Sequence, residues 1–95
     1  MPYIKTERRI RLDASINRLV DKLWLLGQPV KGDLNYVVTR LVLAALKPEA
    51  GWNYQSLSDA VGALQDAADE IKRRMLAPYE DHCIKRNGDI EELQG

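Results

Sequence analysis

Ninety-five residues and 10.8 kDa make a single domain near the small end of what folds alone, with no room for a second catalytic lobe. Fourteen Lys+Arg against fourteen Asp+Glu leave a net charge of zero, which counts against a protein built mainly to grip DNA or an acidic membrane. A hydrophobic share of 45% with 29% charged residues excludes a disordered chain; the longest apolar run, Leu41–Leu46, is far short of the roughly 18 residues a membrane span needs.

The start, Met1-Pro2-Tyr3-Ile4-Lys5, lacks the apolar core of a signal peptide. One cysteine, Cys83, cannot close an intramolecular disulfide. Together these place the expected compartment in the cytoplasm. Residues 1–12 read as a basic arm, with Lys5, Arg8, Arg9 and Arg11 against Glu7 alone. Residues 88–95 read as an acidic tail carrying Asp89, Glu91 and Glu92. Opposite ends of this kind attract one another, but exposed pairs contribute only about 0–1 kcal/mol each.

From Asp13 the pattern is helical. Ile16, Leu19, Val20 and Leu23 recur at i, i+3, i+4 and i+7, Asp13 or Ser15 is placed to cap, and Gly27 with Pro29 stops the run. A first helix over 14–26 follows. Asp33 is the expected cap of a second helix over 34–46, whose broad apolar face (Leu34, Val37, Val38, Leu41, Val42, Ala45 and Leu46) ends at Pro48. Its valines favour a strand by propensity, but the 3.6-residue period between a cap and a proline outweighs them.

After a loop over 47–55, Ser56 or Ser58 is placed to cap the longest helix, 57–77. Its apolar positions Leu57, Val61, Leu64, Ala68, Ile71 and Met75 step by four and three, a coiled-coil-like seam. Only about three heptads fit, so packing against the first two helices is favoured over a free coiled coil. Pro78 breaks or kinks the run. It also suits the first turn of a short last helix, 78–86, closed by Asn87-Gly88. The expected fold is all-α: a compact bundle of three main helices and a short C-terminal one, assembled as a homo-oligomer.

Catalytic constellations are weak. His82 and Cys83 are adjacent, so on a helix they point about 100° apart and cannot chelate one metal or act as a facing dyad. Nucleotide pyrophosphohydrolases of the MazG kind need acidic pairs one turn apart on neighbouring helices to hold Mg²⁺. Asp66 and Asp69, with Glu70 beside them, offer one pair, but the adjacent Glu80-Asp81 make a poor second. The chain is therefore read as a non-enzyme without cofactor or metal.

Two clusters invite a ligand. Asn35 with Thr39 and Tyr36 with Arg40 are each one turn apart, setting an amide, a hydroxyl, a phenol and a guanidinium in the first two turns of an apolar helix. Such groups stack on a base and grip a phosphate near a helix N-terminus. In the plainer reading Tyr36 sits at the core edge and Arg40 pairs with an acid of the third helix. Arg73, Arg74 and Tyr79 form the second cluster, suited to an anionic ligand or to salt bridges with the acidic tail.

Three motifs in order, Met1-Pro2-Tyr3-Ile4-Lys5-x-Glu7-Arg8-Arg9, Gly32-Asp33-Leu34-Asn35-Tyr36-x-x-Thr39-Arg40-Leu41, and Arg73-Arg74-x-x-Ala77-Pro78-Tyr79-Glu80-Asp81 followed by Asn87-Gly88-Asp89, span nearly the whole chain. It resembles a family of short helical proteins of bacteria, archaea and tailed phages whose activity is not established. This chain runs on from Asp89 to Gly95 where its relatives tend to stop. The resemblance implies a helical protein common in phage genomes. With it, the Tyr36/Arg40 and Arg73/Arg74/Tyr79 clusters and the lack of catalytic groups lead to the expectation of a non-enzymatic, phage-associated binding protein that sequesters a small anionic ligand, such as a signalling nucleotide, at helix or subunit interfaces. A competing expectation is a ribbon-helix-helix regulator, with Arg9 and Arg11 of an alternating 8–13 strand facing DNA. A third is a helical adaptor or inhibitor that docks a host protein.

Overall fold

The computed structural model describes residues 3–94, and the described residues contain helices and turns but no strand. Four α-helices follow one another: α1 (Thr6–Leu25), α2 (Lys31–Leu46), α3 (Tyr54–Ile71) and α4 (Ala77–Asn87). A π-turn, Lys72–Leu76, joins α3 to α4, and a single 3-10 turn, Glu91–Leu93, follows α4. The chain divides into two units. One comprises Tyr3–Ala60; the other takes up the chain from Val61.

In the first unit, α1 begins seven residues before Asp13, at Thr6. The expected basic arm is thus mostly helix, and neither Asp13 nor Ser15 caps it. Its N-cap is Lys5, with no side-chain cap bond. Leu12 lies four residues before Ile16 and extends the apolar stripe back by a turn, while Glu7 and Arg11 have the favourable i,i+4 order. Glu7 also complements the dipole in the first turn. The end matches expectation: Leu26 N–H donates to the Leu23 carbonyl at 3.2 Å and Gly27, at φ 112°, to the Trp24 carbonyl at 3.1 Å.

α2 starts at Lys31, three residues earlier than the spacing predicts, because Asp33 works from inside the first turn. Its Oδ2 accepts the Val30 N–H at 3.0 Å while its own N–H bonds the Val30 carbonyl at 3.0 Å. α3 likewise begins earlier, at Tyr54, behind Asn53. Ser56 N–H donates to Asn53 Oδ1 at 2.9 Å, and Asn53 N–H returns to Ser56 Oγ at 3.0 Å. Ser56 is one half of a reciprocal cap, as in a capping box; Ser58 plays no part in it.

In the second unit Pro78 does not break the rod. Proline lacks the N–H that would reach residue i−4, and its ring crowds that carbonyl. The chain widens into the π-turn instead, with Ala77 N–H donating to Lys72 O, five residues back. α4 continues to Asn87, and Gly88, at φ 88°, closes it with an N–H to Ile84 O at 2.7 Å.

The apolar faces are where the periodicity puts them, yet they are not covered. Among the described residues only Ala60 and Glu70 are buried. α1 and α2 form no extended interface with each other. Ile16, Val20, Leu34, Val38 and Leu41, all expected to be buried, are exposed.

Candidate functional site

α2 assembles the first cluster by simple helical spacing. Arg40 Nη1 donates to Tyr36 Oη at 3.0 Å, and the guanidinium carbon lies 5.8 Å from the Tyr36 ring centroid. Hydrogen bond and cation–π contact therefore act on the same pair. Tyr36 is 63% exposed, so it is not a core-edge residue, and Arg40 turns to its own helix for a partner. Because that partner is a neutral hydroxyl, the full charge of Arg40 stays on the surface. Asn35 and Thr39, also exposed, share the neighbouring face of the same two turns.

The second cluster is organised differently. Arg73 Nη2 bonds Glu70 Oε1 at 2.7 Å, and Arg74 Nε lies 3.7 Å from the same oxygen. Glu70 is nearly buried, whereas both arginine side chains remain mostly exposed. Both arginines meet the carboxylate of Glu70, one turn back along the helix. The spacing Glu70, Arg73, Arg74 (i, i+3, i+4) is the sequence signal for this link, and grouping the arginines with Tyr79 passes over it. Tyr79, on α4, is 63% exposed. Asn35, Tyr36, Thr39 and Arg40 are thus brought together on α2, and Arg73 and Arg74 around Glu70; the two groups belong to separate units.

Residues 8–13 lie within α1, so the strand that the ribbon-helix-helix reading requires is helical here. Arg9 is occupied close to home. Its Nε donates to the Ile4 carbonyl at 2.6 Å and its guanidinium sits 5.6 Å from the Tyr3 ring centroid. Cys83 accepts a long bond from Arg86 Nη2 at 3.6 Å. Among the described residues, no three of His, Cys, Asp and Glu are grouped so as to hold a metal ion, and no helix is long and apolar enough to cross a membrane.

The described residues define the class as all-helical, with one-turn arginine clusters on α2 and at the end of α3. The chain belongs to the family described as a domain of unknown function, DUF6899, which matches residues 1–90. Residues 91–95, including most of the acidic tail, lie beyond that match. No curated protein and no solved structure matches the chain.

Proposed function

We propose that the chain is a non-enzymatic, phage-associated binding protein that sequesters a small anionic ligand, of the signalling-nucleotide class, on the Tyr36–Arg40 face of α2. One observation carries the reading: Arg40 is held in place by a neutral phenol, so its orientation is set while its charge is not cancelled. A phosphate accepts two parallel N–H bonds from such a fork. The exposed Tyr36 ring supplies a stacking surface for a base, with Asn35 and Thr39 beside it to donate and accept hydrogen bonds. Arg73 and Arg74, already sharing Glu70, are secondary to this site, and Tyr79 adds an exposed ring near them in the chain. Sequestration needs only that the ligand be held, so no catalytic group is called for.

The test is native mass spectrometry of protein taken gently from cells, with and without a panel of mono-, di- and cyclic nucleotides. Stoichiometric retention by the native chain and its loss in Arg40→Ala support the reading. A native chain that retains none of the panel sinks it, and a host protein recovered by pull-down would then move the weight to the adaptor reading.

A further inference from the structure

Five of the chain's eight arginines hold a neighbour: Arg9 the Ile4 carbonyl and the Tyr3 ring, Arg40 the Tyr36 phenol, Arg73 and Arg74 the Glu70 carboxylate, and Arg86 the Cys83 sulfur. The side chains of Arg8, Arg11 and Arg18 have no partner among the described residues, and all three lie on α1. At about 100° and 1.5 Å per residue, they fall with Ser15 and the equally unpartnered Lys22 inside an arc of about 80°, in a line about 21 Å long. No other residue of α1 falls in that arc, and each of the five is exposed.

The acids of α1 lie elsewhere on the helix. Asp13 is opposite the stripe, Asp21 about 100° round from its centre, and Glu7 at the edge of its first turn. Five Lys and Arg against three Asp and Glu leave α1 at net +2, and the one cation outside the stripe, Arg9, is already occupied. Four cations in a row without a counter-charge of their own match an anion that is itself a line of charges.

We infer that the Arg8–Arg11–Arg18–Lys22 stripe of α1 binds the phosphodiester backbone of a single-stranded nucleic acid. At about 3.4 Å per phosphate, the spacing along one strand of a duplex, the stripe spans about six phosphates, enough to give each cation its own. Ser15, in the middle, adds a hydroxyl to the same line. The arc holds no aromatic ring to stack on a base, so the contact is with the backbone and independent of sequence. An acidic bilayer fits less well, because an interfacial helix sets its cations around an apolar face. Here the apolar positions Leu12, Leu19 and Leu23 border the stripe on one side only, and Glu7 and Asp21 border it on the other. The arrangement also differs from a ribbon-helix-helix, since Arg9 and Arg11, which a strand sets on one face, are about 160° apart on α1. The inference goes beyond the nucleotide site on α2 and stands without it.

Fluorescence anisotropy with a labelled oligothymidylate of about 12 nucleotides tests it on the full chain at a series of salt concentrations. Four phosphate contacts predict a slope of about −3 in log K against log salt, or about 50-fold weaker binding at 200 mM than at 50 mM. Arg11→Ala and Arg18→Ala are each expected to bring the slope to about −2, and the two together to weaken binding at least about tenfold at the lower salt. Arg9→Ala removes the same charge from the same helix off the stripe, and Arg40→Ala removes it from the nucleotide site; each is expected to change binding less than about threefold. The substituted stripe side chains are exposed and without partners, and alanine favours helix, so circular dichroism should show the fold retained. A native chain that does not bind the oligonucleotide at the lower salt, binding indifferent to salt, or a loss in Arg9→Ala or Arg40→Ala as large as in Arg11→Ala overturns the inference. So does binding to phosphatidylglycerol vesicles in place of the oligonucleotide.

Discussion

Two arginine sites of similar sequence appearance differ in what each arginine faces. On α2, Arg40 meets a phenol and keeps its charge available. At the end of α3, Arg73 and Arg74 meet the nearly buried carboxylate of Glu70, which partly cancels them. The lesson is that an arginine with an acid one turn before it has its charge met locally, whereas one with a phenol in that place does not. A glutamate at i−3 or i−4, visible in the amino-acid order itself, separates the two cases.

The comparison breaks most visibly at the ligand. Arg40→Ala is expected to weaken nucleotide binding about 10- to 100-fold, the range for losing a charge-assisted hydrogen-bond pair. Arg73→Ala should change it less than about threefold, since its charge is already met. Titration calorimetry on both variants reads this directly, and the reverse order would move the site to the second unit. Stability sharpens the contrast from the other side. Glu70→Ala is expected to cost about 1–2 kcal/mol, because two guanidiniums lose a nearly buried acceptor. Urea unfolding at fixed protein concentration measures it, and Glu70→Gln, which keeps a hydrogen-bond acceptor, should lose less.

Smaller effects probe how α2 holds its pair. Asp33→Ala removes the acceptor for the Val30 N–H and should cost about 0.5–1 kcal/mol, seen as a lower urea midpoint. Least of all, Tyr36→Phe keeps the ring beneath Arg40 but deletes the hydroxyl acceptor. A two- to threefold loss of nucleotide affinity is expected, about 0.5 kcal/mol. A loss as large as that of Arg40→Ala would mean the hydroxyl itself contacts ligand.

Stop signals are the most legible part of the fold. Gly27 before Pro29, Leu46 before Pro48, and Gly88 each end a helix where local chemistry demands it. Starts lie earlier than the spacing predicts because Asp33 and Ser56 act from the third helical position back toward the chain before it, and not from the N-cap itself. The start of α1 is obscured by Arg8–Leu12, whose basic–apolar alternation also fits a strand. Pro78 is legible as a disturbance, but its accommodation by a wide turn is not, since sequence marks the missing donor and leaves the backbone several remedies. Periodicity also identifies the faces of α1, α2 and α3 that call for cover, without stating what covers them. On the site, the Tyr36–Arg40 pairing follows from one-turn spacing, whereas the Glu70 link requires comparing charges along the rod.

The π-turn at Lys72–Leu76 acts as a phase adjuster. A helix advances about 100° per residue, so each residue accommodated by a wide turn resets the angular origin of everything after it. α3 and α4 consequently read their sequences from different zero points. A one-residue deletion among residues 72–76 would restore a common origin, turning Tyr79 and Cys83 away from their present bearings while leaving every downstream residue identical. In this stretch, the length of the chain carries information that composition does not.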